Sequence, residues 1–398
     1  MYLRSRPRAL LVTARVSVVV AALAASAGIL AIQRTQLPQL LSLPLVPFYV
    51  LRSAALALYV VVVGVLTGRV VLSRAPMAIR RVSLLLFAVL LCPALLEGVL
   101  MLTPRSHGNG STLAHVVWSR YYWGTPNSLA YRDAAFTPSA DARLTKVICV
   151  GDSFTAGAGV KQRSDRFSDR LQAALGAGTR VYNAGLSGSD TINEFERLVA
   201  FPVIPDVVIL QYFGNDIERR VSLYDPREPS DTLPAAASRP GAPPGLATRL
   251  ANDVVTRLAG SRAIASCNYL LFACNYLANL APLQTSGYAD EMLRYFASPS
   301  VWHAHEQDLR QFIAYAKAHR ARLIVVVFPF LQQPESSRYW TQKVSAVFRR
   351  EGIPVVDLTD DVLPLSIADR VVNSSDPHAS PRVHQIAADR ILQVLRTP

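Results

Sequence analysis

The chain has 398 residues with 41 basic and 28 acidic side chains, and the excess is not evenly spread. Residues 1–105 hold eleven Arg, no Lys and a single acid, Glu97, giving +10, whereas the rest holds 30 basic and 27 acidic residues, giving +3. Basic charge gathered around long apolar runs speaks of membrane topology and removes the need for a nucleic-acid partner, and four cysteines without a Cys-x-x-Cys pair exclude a cysteine zinc or dithiol redox site.

Three apolar runs come first, at about 10–32, 47–66 and 82–102. Each has the length of about 20 residues that spans a hydrocarbon core. Arg4, Arg6 and Arg8 precede the first, and Arg69, Arg74, Arg80 and Arg81 separate the second from the third. Positive-inside bias therefore predicts a cytoplasmic N-terminus, a multi-pass anchor in the plasma (inner) membrane over 1–105, and an extracytoplasmic domain over 106–398. Arg15 and Arg52 sit near run ends and can snorkel. The alternative for the first run is a signal peptide cleaved after Ala25-Ser26-Ala27, which leaves the downstream orientation unchanged. Glu97 lies in the last third of its run, near the outer interface, and Pro93 is placed to kink the same helix.

Residues 106–145 read as a connection, with aromatics at Trp118, Tyr121, Tyr122 and Trp123 that either anchor at the interface or pack on the outer domain. Val147–Val150 is a short β-branched run, the pattern of a buried parallel strand, and Gly151-Asp152-Ser153 follows at once. Phe167, Leu171, Ala174 and Leu175 recur at helical spacing, with Ser164 or Asp165 as a cap. Val181-Tyr182 is a strand running into Asn183-Ala184-Gly185, and Thr191 with Glu194 makes a capping-box start for a helix through Leu198. Val207–Leu210 is a strand ending in Phe213-Gly214-Asn215-Asp216. Alternating strand and helix signals predict an α/β domain, a parallel sheet with helices on both faces. The alternation pauses over 219–300, read as an insertion: a lid, a membrane contact or a dimer contact. It resumes with Leu309, Phe312, Ile313 and Ala316 on one helix face, strands at 323–328 and 354–358, and a last helix from Pro381. Cys92 and Cys149 read as small apolar residues, and Cys267 and Cys274, seven apart, cannot bridge along one unbroken helix.

Dinucleotide and phosphate loops do not fit. Gly157-Ala-Gly159 stops short of G-x-G-x-x-G, Lys161 follows Val160 rather than Gly, and Thr155 stands where G-x-S-x-G needs its second glycine. What remains is a serine just past a strand. The other short blocks fall at comparable places: Asn183-Ala184-Gly185, Gly214-Asn215-Asp216 and Asp376-Pro377-His378. Carboxyl ends of parallel strands converge on one edge, so the blocks can meet there. A nucleophilic serine needs an imidazole, a carboxylate to orient it and donors for the oxyanion. Read singly, Ser153 is a helix cap, Asn215-Asp216 and Asp376-Pro377 are turns, Asp152 supports its own loop, His384 is structural, and His303 and His305 cap or coordinate near a helix start.

Taken together, the four blocks resemble the SGNH (GDSL-type) hydrolases over about 128–398, outside the insertion, with Ser153, Gly185, Asn215 and His378 matching in order. Asn127–Asp133, NSLAYRD, also resembles the lead-in of membrane-linked members. The resemblance implies a three-layer α/β/α, flavodoxin-like fold and a serine esterase. It implies Ser153 as nucleophile, His378 as general base, Asp376 as orienting acid, and the Ser153 and Gly185 N–H groups with the Asn215 side chain as the oxyanion hole. It implies no metal and no organic cofactor. One departure stands out: many members carry the acid three residues before the histidine, where this chain has Ser375, and Asp376 is two before. With an extracytoplasmic site, the expected substrates are O-acyl esters of envelope glycans or lipids. An O-acyltransferase with the same triad and a non-catalytic glycan-binding or scaffolding module are the alternatives.

Overall fold

The computed structural model describes residues 45–102, 104–106, 113–138, 141, 143–221, 286–373 and 376–397. The first apolar run with its cleavage alternative, most of the 219–300 insertion, Cys267, Cys274 and Ser375 lie outside the described residues. The described residues fall into two compact units, up to Tyr121 and from Tyr122 onward.

In the first unit two long helices form a pair, α1 (Leu45–Val71) and α2 (Met77–Leu102). The turn between them is held by Arg80, whose guanidinium donates to the Ser73 carbonyl at 2.6 Å and the Ala75 carbonyl at 3.0 Å. Tyr59 donates its hydroxyl across the pair to the Leu90 carbonyl at 2.8 Å. Large apolar side chains point outward along both helices, among them Leu58, Val61, Leu85 and Val89, and so does Cys92. Among the described residues no helix is long and apolar enough to cross a membrane. The side chains at 45–52, and those of Pro93 and Glu97, lie outside them. A third helix, α3 (Leu113–Tyr122), follows and buries Trp118.

The second unit is built on five parallel strands: β1 (Thr145–Gly151), β2 (Thr179–Gly185), β3 (Val207–Tyr212), β4 (Arg322–Val327) and β5 (Val355–Asp357). Their order is β2-β1-β3-β4-β5, the doubly wound arrangement whose ligands gather where the order reverses, between β1 and β3. Register is continuous, with Gly151 opposite Gly185 and Val150 opposite Leu210. The strands are apolar on both faces because helices cover both. Ile148, Val150, Leu210, Val325 and Val327 pack toward α8 (Pro299–His319) and α9 (Arg338–Arg349), and α8 contributes Leu309, Phe312, Ile313 and Ala316. Val147, Cys149, Ile209, Ile324 and Val326 pack toward α5 (Phe167–Leu175) and α10 (Pro381–Arg396). Burying a side chain such as Phe312 contributes about 2–3 kcal/mol.

Several local expectations change. The helix α5 has no side-chain cap from Ser164 or Asp165; Arg166 precedes it, and its guanidinium is buried instead. The helix α6 (Thr191–Ala200) is capped by Asp190, which accepts from the Ile192 and Asn193 N–H groups at 3.0 Å. Glu194 is thereby freed from a capping box and turned fully inside. Asn183-Ala184-Gly185 is the end of β2 rather than a loop beyond it. The tail of the 219–300 segment belongs to the sheet unit: α7 (Ser286–Ala297) buries Met292, Leu293 and Phe296. Tyr122 and Trp123 pack within the second unit, the Arg132 guanidinium 4.7 Å over the Trp123 ring and Lys161 5.2 Å over Tyr122.

Candidate active site

The site assembles at the carboxyl edge of the sheet. β1 ends at Gly151, Asp152 caps the short helix α4 (Ser153–Ala156), and Asp152 Oδ1 accepts from the Phe154 N–H at 2.8 Å. Ser153 is the first residue of that turn, where a backbone N–H has no intrahelical acceptor. Gln211, the penultimate residue of β3, fixes the turn from below. Its Oε1 accepts from the Asp152 N–H at 3.2 Å, the Thr155 N–H at 3.1 Å and the Thr155 hydroxyl at 2.8 Å.

The histidine arrives on a small antiparallel hairpin, β6 (Val371–Asn373) and β7 (Asp376–Ala379). Alternate residues of a strand share a face, so Asp376 and His378, two apart, stand side by side. His378 Nδ1 lies 2.5 Å from Asp376 Oδ1, and His378 Nε2 lies 2.9 Å from Ser153 Oγ. The strand geometry thus supplies what the Asp376 spacing left open. Asp376 is 1% exposed, and the imidazole is half-buried against the Phe154 ring, 5.4 Å between centroids. Burial pulls the His378 pKa down, but the Asp376 hydrogen bond and charge, with Asp152 behind, outweigh it and hold it above its ordinary value. Gly159 makes room for this seat: with φ +77°, a Cβ there would stand 2.7 Å from Asp376 Oδ2.

The expected oxyanion donors are not all free. The Gly185 N–H donates to Asn183 Oδ1 at 3.1 Å. A Cβ on Gly185 would meet the Ala156 nitrogen at 2.3 Å, so this glycine serves close packing of β2 against α4. As placed, its N–H does not face a substrate, which corrects the role the resemblance implied for it. Asn215 sits in the turn Gly214–Ile217 after β3, and its side chain hydrogen-bonds the Asp152 carboxyl. The loop after β2 is tied to the serine turn by the Leu186 N–H, which donates to the Gly151 carbonyl at 3.2 Å.

The model of the GDSL-like lipase/acylhydrolase family matches residues 149–386, more than half of the chain. The chain belongs to that family. It is a hydrolase acting on ester bonds. No curated protein matches it. Solved structures similar to this GDSL-like hydrolase share its fold at low identity. A protein of Desulfitobacterium hafniense described as lipolytic and of the G-D-S-L family is 13% identical, with 63% of this chain and 99% of that chain covered and a TM-score of 0.37. TesA is 16% identical, with 63% and 98% covered and a TM-score of 0.36. A lipase/acylhydrolase from Enterococcus faecalis is 15% identical, with 63% and 95% covered and a TM-score of 0.35.

Two supports of the GDSL-like site were invisible to motif reading. Arg132, from the NSLAYRD lead-in, is 3% exposed and stitches the loop after α4. It donates to the carbonyls of Gly157 at 2.6 Å, Val160 at 2.8 Å, Tyr122 at 2.9 Å and Trp123 at 3.0 Å. Burial and the neighbouring Arg166 lower its pKa to about 10. Arg166 is fully buried and donates to the Arg132 carbonyl and, at 2.6 Å, to Asp169. A long cation bonded to carbonyls has no fixed spacing from its acceptors, so no sequence signal marks it. The remaining histidines are structural. His305 Nε2 meets the Tyr212 hydroxyl at 2.7 Å, and His384 Nδ1 accepts from the Phe167 N–H at 3.3 Å. Burial lowers both pKa values to about 3, so both rings are neutral. Among the described residues no group of side chains could hold a metal ion.

Proposed function

We propose that the chain is a membrane-anchored serine esterase acting outside the cytoplasm on O-acyl esters of envelope glycans or lipids. One observation carries the catalytic reading: the unbroken chain Ser153 Oγ, His378 Nε2, His378 Nδ1, Asp376 Oδ1, with contacts of 2.9 and 2.5 Å. His378 Nε2 takes the Ser153 proton as Oγ attacks the acyl carbonyl. The tetrahedral centre collapses, the alcohol departs with that proton, and an acyl-serine remains. Water, deprotonated by the same imidazole, then releases the acid and restores Ser153. Asp376 fixes the tautomer and stabilises the imidazolium. The Ser153 N–H and the Asn215 amide take the developing oxyanion. The third donor is the Gly188 N–H, further along the loop that Leu186 ties to the serine turn. Gly188 is exposed with φ +77°, no heavy atom within 4 Å of where its Cβ would be, and no backbone acceptor for its N–H among the described residues.

The anchor is supported by the three apolar runs, their arginine asymmetry and the outward apolar side chains of α1 and α2. Hydrolysis of a short-chain nitrophenyl ester by the detergent-purified full chain tests the chemistry. Ser153→Ala and His378→Ala are expected to lose at least about 10³-fold in kcat. A serine-reactive phosphonate is expected to label Ser153. Neither turnover nor labelling of the wild type would overturn the esterase reading. Transfer of acetyl to an added sugar in preference to water would replace it with the O-acyltransferase.

A further inference from the structure

A row of aromatic rings leads away from the triad on the side opposite Asp376. Phe154 lies 5.4 Å from His378, Phe213 lies 4.5 Å from Phe154, Phe330 lies 5.3 Å from Phe213, and Tyr288 lies 5.8 Å from Phe330. The row rests on the turn that carries Asn215, since a Cβ on Gly214 would stand 2.9 Å from Phe330 Cζ. The helix α7 packs on that same turn. Phe330 is buried and Phe213 half-buried, and Tyr288 is the end that opens to solvent, 39% exposed.

The Tyr288 hydroxyl donates to Glu218 Oε1 at 2.9 Å. Burial, then the Glu218 carboxylate, push the phenol pKa up, with Asp152 and Asp216 adding, so the proton stays on the phenol. Glu218 is exposed, and the charges of Glu291 and Asp190 bear on it. Arg219 beside it is bonded to Asn193 Oδ1 at 2.7 Å. An exposed aromatic face next to a carboxylate matches a sugar: C–H groups lie on the ring, and hydroxyls donate to the carboxylate in charge-assisted bonds. A phosphate headgroup would instead meet Glu218, Glu291 and Asp190 at close range.

We propose that Tyr288 and Glu218 form the alcohol-side subsite of the catalytic centre, and that its ligand is an uncharged sugar ring bearing the acyl ester. This rests on the esterase reading and narrows it from glycans or lipids to glycans. It also gives the end of the 219–300 segment a place in the site.

The test uses the full-length chain in detergent with Ser153→Ala, so that the ester survives, and an O-acetylated xylo-oligosaccharide as probe. Saturable binding is expected, weakened about tenfold by Tyr288→Ala and several-fold by Glu218→Gln, the worth of about one good polar or aromatic contact. Tyr288→Phe keeps the ring packing and is expected to fall between, which protects the test if the alanine variant misfolds. Micellar phosphatidylglycerol is the second probe, and binding of it is not expected to depend on Tyr288. No saccharide binding, equal binding by all variants, or Tyr288-dependent phospholipid binding would each overturn the subsite. Nitrophenyl acetate turnover by the wild type is measured alongside. Its absence would sink the esterase reading by itself, whichever way the binding arm falls.

Discussion

His378 serves as a base only when neutral, and its neighbours set the pH at which that happens. Asp376 stabilises the imidazolium and holds the His378 pKa above its ordinary value. Activity is therefore expected to rise with pH through that raised pKa. Asp376→Asn should move this acid limb to lower pH while kcat falls by about 10³–10⁴; a limb that stays in place would show that Asp376 does not set the base. Glu194 gives a second residue-level expectation. It is fully buried with no partner for either carboxyl oxygen, and burial first, then the charge of Asp152, raise its pKa well above the usual range. The native state thus keeps this proton to higher pH than the unfolded chain does. Its contribution to stability is best below the unfolded carboxyl pKa of about 4.3 and falls as pH rises toward the folded value. Glu194→Gln, neutral throughout, should raise the urea midpoint at pH 8 and converge with wild type near pH 4. Parallel pH curves would show that Glu194 is not the group responsible. Ser153 and His378 were legible because each stands in a short block of characteristic residue types. Glu194 was not, because Glu three after Thr reads as a capping box until Asp190 is seen to cap the helix instead.

At the scale of elements, the strands were legible and the hairpin was not. Val147–Val150, Val207–Leu210 and Leu323–Val327 are apolar on both faces, a pattern that survives any choice of neighbours. β7 is four residues long and contains Pro377, so nothing in its composition announces a strand. Yet the hairpin decides the site, because it puts Asp376 and His378 on one face. Its other requirement is Gly159. Gly159→Ala is expected to cost about 1–3 kcal/mol for the left-handed backbone alone. Its Cβ would also press on Asp376 Oδ2, 2.7 Å away, and shift the carboxylate from His378. A drop in kcat at little-changed KM is the expected signature, and full activity in a merely destabilised protein would show that the seat tolerates the push. Arg132 acts at the same scale, tying the lead-in to the loop after α4, and its acceptors became visible only once both segments were placed.

For the whole molecule, the question is which side of the membrane holds the esterase. The arginines between the second and third apolar runs place the α1–α2 turn in the cytoplasm, and a third span then delivers everything after it to the outside. Two exposed positions report on the two sides: Leu72 in the turn, 88% exposed, and Thr397 at the end of the sheet unit, also exposed. In a background with Cys92, Cys267 and Cys274 changed to Ser, the buried Cys149 stays silent. A membrane-impermeant maleimide applied to intact cells with a permeable outer layer is expected to label Thr397→Cys at once. Leu72→Cys should label only after the inner membrane is opened. The reverse pattern would place the triad in the cytoplasm and remove envelope glycans as its substrates, although the triad geometry would stand. Equal labelling of both would mean that the apolar runs lie on the membrane rather than across it, and a basic, Arg-flanked surface helix is the form that such an arrangement takes. Because +10 of the charge sits in residues 1–105 with one acid among eleven arginines, the transmembrane outcome is the expected one.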